Sequence, residues 1–171
     1  MNTVGWSEES DLSQVNADVR VAPLKPLQTP YRDPASSHLQ LVVYWDTLTT
    51  PTNGGSDIIS YHLQYDDASN EASWTDLIGL TSDSLVTTFT VTSSIQIGSI
   101  YKFRYRAKNL FGWGPYSDVL NLYAAKVPET IDTVVTSNEG TNVRISWTPP
   151  SYNGGLPLIS YRVYIEKQTI N

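Results

Sequence analysis

From His38 the chain reads His-Leu-Gln-Leu-Val-Val-Tyr-Trp-Asp, with Leu39, Leu41, Val43 and Trp45 on one side of a period-two alternation and Gln40, Val42 and Tyr44 on the other. A strand sends successive side chains to opposite faces, so this run predicts a half-buried strand with Trp45 inward. The same alternation puts Tyr101, Phe103, Tyr105 and Ala107 on one face and Lys102, Arg104 and Arg106 on the other, in water. Similar short runs, rich in β-branched and aromatic residues, are separated by clusters of Gly, Pro, Asn, Asp and Ser, and no stretch carries an amphipathic helical pattern. The pattern predicts an all-β module with seven strands over 24–29, 39–46, 58–66, 73–78, 86–91, 101–109 and 116–123. Its core is expected around Trp45, Tyr61, Trp74, Tyr101, Phe103 and Tyr105.

The chain repeats itself at a separation of about 100 residues. Asn53, Gly54, Gly55, Ile59, Ser60 and Tyr61 recur as Asn153, Gly154, Gly155, Ile159, Ser160 and Tyr161. A second pair has nearly the same period: Asn2, Gly5, Trp6, Ser10 and Asp11 recur as Asn109, Gly112, Trp113, Ser117 and Asp118. The first motif sits early in a module and the second late. The order therefore reads as the end of one module over 1–18, a complete one over 19–125 and the first three strands of another over 126–171. Both ends of the chain then fall inside modules, with Met1 at the place of Lys108. In the last segment Val143, Ile145 and Trp147 are expected to face Tyr161, Val163 and Ile165 across a core.

Trp45 on the second strand, Asn-Gly-Gly-Ser-Asp-Ile-Ile-Ser-Tyr leading into the third, Trp74 on the fourth, and Ile-Gln-Ile-Gly-Ser-Ile-Tyr running from Ile95 into an alternating strand that ends Ala-Lys-Asn together resemble the fibronectin type III pattern. Ile95, Ile97 and Ser99 stand where that family usually has Leu, Pro and Thr. The resemblance covers the whole chain and implies seven-stranded, immunoglobulin-like β-sandwich repeats, with the Tyr101 hydroxyl bonded to backbone a few residues upstream. Trp113 and its neighbours in Phe-Gly-Trp-Gly-Pro-Tyr-Ser faintly resemble the WSxWS box of cytokine receptors, and the Asn-Gly-Gly motif also resembles modules of giant muscle proteins. Gly54 and Gly55, and likewise Gly112 and Gly114, are expected to supply positive φ in their loops.

With 171 residues, the chain exceeds one such module of about 100 residues. A hydrophobic share of 40% and an aromatic share of 11% give it the apolar surface that disordered chains lack. The net charge of −6 lacks the basic footprint that nucleic acid or an anionic membrane surface requires. No run approaches the ~20 apolar residues of a membrane span. With no cysteine, disulfides, thiolate metal sites and thiol nucleophiles are excluded.

His38 and His62 fall on the outward phase of their strands and are expected at the surface. Asp57, Asp66, Asp67, Glu71, Asp76 and Asp83 lack calcium-loop spacing and read as a solvated acidic face. No nucleophile elbow or phosphate-binding loop is present, and no Arg-Gly-Asp or N-glycosylation sequon occurs. No catalytic residue, cofactor or metal is expected. The chain reads as a non-enzymatic region for protein interaction, adhesion or spacing, its partners being other proteins and adjacent modules of the same polypeptide. An extracellular or cell-surface setting is expected, with a cytoskeletal or ciliary scaffold, or an accessory region of a larger enzyme, as the alternatives. Asn53, Gly54, Gly55, Trp113, Pro115 and Tyr116 are the candidate partner-binding loop residues.

Overall fold

Alternating runs can bury one face only by packing against another sheet, and the computed structural model, which describes residues 1–11 and 19–166, holds three antiparallel sheets, two of which pack face to face. In the first, β1 (Tyr31–Arg32) and β5 (Thr88–Val91) flank β2 (Leu41–Tyr44), with Leu41 opposite Val91 and Val43 opposite Phe89. In the second the order is β4 (Thr75–Ile78), β3 (Ser60–Tyr65), β6 (Ile100–Asn109) and β7 (Gly112–Trp113). β8 (Leu120–Tyr123) also pairs with β6, beside Ile100 to Phe103. No helix occurs among the described residues.

Leu41, Val43, Trp45, Tyr61, Leu63, Tyr101, Phe103, Tyr105 and Ala107 meet between the sheets, all nearly or wholly out of water. The Tyr105 ring lies 5.9 Å from that of Trp45 and 6.5 Å from that of Tyr61. Burial raises the Tyr105 phenol well above its ordinary pKa. Two tyrosine hydroxyls of this interior find backbone partners. Tyr101 donates to the Ser94 carbonyl at 3.1 Å and accepts from the Gln96 N–H at 2.7 Å, and the Tyr61 oxygen accepts from the Leu48 N–H at 2.8 Å.

The sequence pattern is corrected at several points. Residues 24–29 form no sheet strand: Pro23, Pro26 and Pro30 lack the N–H donors a ladder needs, and pairing begins only at Tyr31. Leu39, expected inward, is 68% exposed because it precedes the paired part of β2. The strand expected over 116–123 begins at Leu120, and Ser117 ties the preceding segment to β6 by bonds in both directions with Tyr105. Gly114 does not have positive φ; it is small because a Cβ there would collide with the Pro23 backbone.

Asp66 departs furthest from the expected solvated face. It is wholly buried and its carboxylate accepts from the N–H groups of Lys102 at 2.8 Å and of Ala68 and Glu71 at 3.1 Å each. Those bonds pin the loop after β3, where Asp67, Ala68, Asn70 and Glu71 take φ of 48°, 58°, 55° and 68°. Side chains other than Gly rarely occupy this region, so the buried carboxylate holds a conformation that local preference disfavours.

Further on, β9 (Val134–Glu139) and β10 (Asn142–Trp147) form a hairpin through Gly140, at φ 63°. Val143, Ile145 and Trp147 line one apolar groove with Tyr161, Val163 and Ile165, and the Trp147 and Tyr161 rings are 5.5 Å apart. The sequence repeat is also a repeat in space. The Val21 N–H reaches the Gly54 carbonyl at 3.0 Å and that of Leu24 reaches Thr52 at 2.9 Å; Lys126 reaches Gly154 at 2.9 Å and Glu129 reaches Tyr152 at 3.0 Å. Asn53 and Asn153 each accept from the Gly two residues on at 3.0 Å. At the other end of the chain, Asn2 and Gly5 exchange two backbone bonds, and the corresponding Asn109 and Gly112 stand opposite each other in the β6–β7 ladder.

Candidate functional site

The outward face of the second sheet carries the densest polar chemistry among the described residues. Period-two alternation in β6 aims Arg104, Arg106 and Lys108 to this side, while Trp74 enters from the start of β4, Trp113 from β7 and Tyr116 from the segment before β8. They interleave. The Arg104 guanidinium lies 3.8 Å from the Trp74 ring and 4.2 Å from Tyr116; Arg106 lies 4.5 Å from Tyr116 and 4.8 Å from Trp113; the Lys108 ammonium is 5.6 Å from Trp113. Such pairs contribute about 0.5–2 kcal/mol each, more as water is excluded. Arginine is suited to the middle rungs because its planar cation stacks on a ring while its edge still donates hydrogen bonds.

Those edges are used beneath the rings. Arg104 Nε donates to Gln64 Oε1 at 3.0 Å and Arg106 Nε donates to His62 Nδ1 at 3.2 Å. Because a guanidinium can only donate, Nδ1 of His62 must carry the lone pair and Nε2 the proton. Nε2 then donates to Asp76 Oδ1 at 2.8 Å, and the Tyr116 hydroxyl, 3.1 Å from Nδ1, also donates. His62, expected at the strand surface, is instead wholly buried: its phase is outward, but Trp113 and Tyr116 cover the imidazole with ring centroids at 5.6 and 5.8 Å. Likewise Trp74, placed in the core from the sequence, lies half-buried on this outer face, and Arg104 and Arg106 are half-buried rather than in water. Period two identifies the face a side chain takes but not what bends over it.

Burial pushes the His62 pKa below its ordinary 6.5, against the opposing pull of Asp76. The Asp76 carboxyl is held below its usual value, chiefly by the hydrogen bond from Gln64 and then by that from His62. A depressed histidine means that the unfolded chain binds the extra proton first. The neutral imidazole therefore contributes its stability above about pH 6.5, and loses it as pH falls through the lower folded value. The melting temperature of the chain is expected to drop over that window relative to a His62→Gln variant. A constant difference between the two from pH 7.5 to 5 would refute the assignment.

The candidate loop residues separate into two groups. Trp113 and Tyr116 belong to the ladder, while Pro115 is exposed beside them. Asn53, Gly54 and Gly55 lie at one pole of the sandwich, where buried Asn109 donates through Nδ2 to the carbonyls of Val21 at 2.7 Å and Asn53 at 2.9 Å and accepts from the Phe111 N–H at 2.8 Å. Gly54 and Gly55 have φ of 71° and 73°. Between the two groups protrude Leu110 and Phe111, 79% and 53% exposed, which the sequence reading passed over. Their position at the tip of an Asn-x-x-Gly turn was the available signal. Among the described residues no group of three or more His, Asp or Glu could hold a metal ion, and no helix is long and apolar enough to cross a membrane.

No protein-family model matches the chain. The solution structure of a human fourth FNIII domain matches it with a TM-score of 0.52 at 18% identity, covering 70% of this chain and 92% of that one. The crystal structure of the FN1 to FN3 domains of chicken CNTN1 aligns with a TM-score of 0.46 at 17% identity, over 75% of this chain and 44% of that one. A Kelch domain-containing protein of Saccharolobus solfataricus is 32% identical over 83 residues, which are 48% of this chain and 11% of that protein. The chain thus spans only a small part of that relative's length. The fold is that of a fibronectin type III domain, all-β and antiparallel.

Proposed function

We propose that the chain is a non-enzymatic spacer and protein-interaction region built of consecutive fibronectin type III modules, one ending over 1–18, one complete over 19–125 and one beginning over 126–171. The observation that carries this reading is the duplicated pole: the same Asn-Gly-Gly loop takes the same backbone bonds at Gly54 and at Gly154. A polypeptide that rebuilds one end of a sandwich about 100 residues later is stacking like units along its length. In this reading the ladder braces one sheet, leaving the pole around residues 53–55, with Leu110, Phe111 and Pro115, to meet a protein partner at the cell surface or outside the cell. The −6 charge suits a soluble spacer and not a nucleic-acid reader.

Small-angle scattering of the whole chain tests this. An elongated particle is expected, each unit adding about 30–40 Å for strands of about 8–10 residues at about 3.4 Å per residue. A compact particle with units side by side would overturn it.

A further inference from the structure

Between the last strand of the first sandwich and the first bonded residue of the next unit there is almost no free chain. Ala124 donates its N–H to the Ser99 carbonyl at 2.9 Å and accepts from Gly98 at 3.0 Å, while Lys126 already bonds to Gly154. Only Ala125 lies between them. The two units meet there through backbone. A Cβ added at Gly98 would lie 2.7 Å from the Gly155 carbonyl oxygen, and one added at Gly155 would lie 2.6 Å from the Ile97 side chain. The Tyr152 ring fills the rest of the seam, 5.8 Å from the His38 ring of the first unit and 4.8 Å from the Lys126 ammonium. His38 Nδ1 and the Tyr152 hydroxyl are both shut away from water with no hydrogen-bond partner.

We propose that the pole formed by Tyr152 and residues 153–155 is a docking surface shaped for the opposite pole of a preceding sandwich, with His38, Ile97 and Gly98 as its counterpart. The direction of one unit relative to the next is then set by side-chain fit, and Tyr152 is the specificity-determining residue. The internal repeat supports that assignment. The first unit has the same loop, its two glycines likewise at positive φ, but carries Thr52 at the position of Tyr152 and Val21 at that of Lys126. The loop geometry does not require the aromatic ring or the cation above it. This inference rests on the spacer reading and adds to it a fixed joint at this one seam.

The repeat also supplies the test. Tyr152→Thr installs the residue that the equivalent loop already tolerates, so the local fold is expected to survive. In the full chain, nuclear Overhauser contacts between the His38 and Tyr152 rings and a shared tumbling time for the two units by 15N relaxation are expected. Tyr152→Thr is expected to abolish the common tumbling, and Gly98→Ala to do so while retaining the Tyr152 ring. Thr52→Tyr should leave it unchanged. Absence of the ring contacts in the unaltered chain, or common tumbling that survives both Tyr152→Thr and Gly98→Ala, would overturn the joint. An elongated particle with independently tumbling units would leave the spacer reading standing without it, whereas a side-by-side particle removes the spacer reading itself.

Discussion

Replacing Trp45 with alanine is expected to destabilise the first sandwich by about 3–5 kcal/mol, the range for truncating a large buried aromatic. Against a total of about 5–15 kcal/mol for a domain, most or all of the folded population is at stake. Trp45 is 3% exposed and its ring closes the space between β2 and Tyr105, so truncation leaves a cavity walled by rigid sheets with little scope to collapse. Its indole N–H is buried and has no partner. Trp45→Phe sheds that unpaired donor along with some volume and is expected to cost much less, under about 2 kcal/mol. Urea titration of both variants measures the difference. Near-neutral behaviour of Trp45→Ala would show that the core is not organised around this ring.

The next largest effect is expected at Asp66, where Asp66→Ala should cost about 3 kcal/mol. Three backbone N–H groups lose a charged acceptor together, and four residues with positive φ lose the clamp that holds them. Part of the loss is recovered because the Glu71 end of the loop reaches water, which keeps the figure below three full desolvation penalties. Asp66→Asn retains one acceptor oxygen and should fall in between. Limited proteolysis supplies a local readout: cleavage within residues 67–71 should speed up in both variants, more in Asp66→Ala. Unchanged stability together with unchanged cleavage would show that the loop holds its shape without the carboxylate.

Most of the two-sheet arrangement could be read from alternation, because inward and outward phases follow directly from the pleat and Leu41, Val43, Trp45, Tyr101, Phe103 and Tyr105 all lie on the expected side. The Tyr101 hydroxyl was legible for a similar reason: a glycine turn just before an inward tyrosine leaves upstream backbone as its nearest partner. What escaped was burial created by side chains. His62, Arg104 and Arg106 have the outward phase of exposed residues, and the folding of Trp113 and Tyr116 back over β6, with Trp74 stacked on Arg104, removes them from water. For His62 that closure joins segments 54 residues apart in the chain, so no local window contains it. Asp66 was hidden for the opposite reason. Its partners are backbone N–H groups, which every sequence supplies and none advertises.

The turn at residues 2–5 bears on how quickly the larger structure can assemble. Its two reciprocal backbone bonds and the bond from the Val4 N–H to Asn2 Oδ1 form among residues that are otherwise exposed. The matching turn at residues 109–112 therefore needs only its own few residues to close, and loop-closure entropy at that length is small. Pairing β3 with β6, by contrast, requires Ser60 to find Lys108 across a long intervening chain, the kind of non-local contact that slows β-rich proteins. With the β6 to β7 reversal already fixed by local chemistry, the search for that long-range register begins from a preformed end instead of from an open coil.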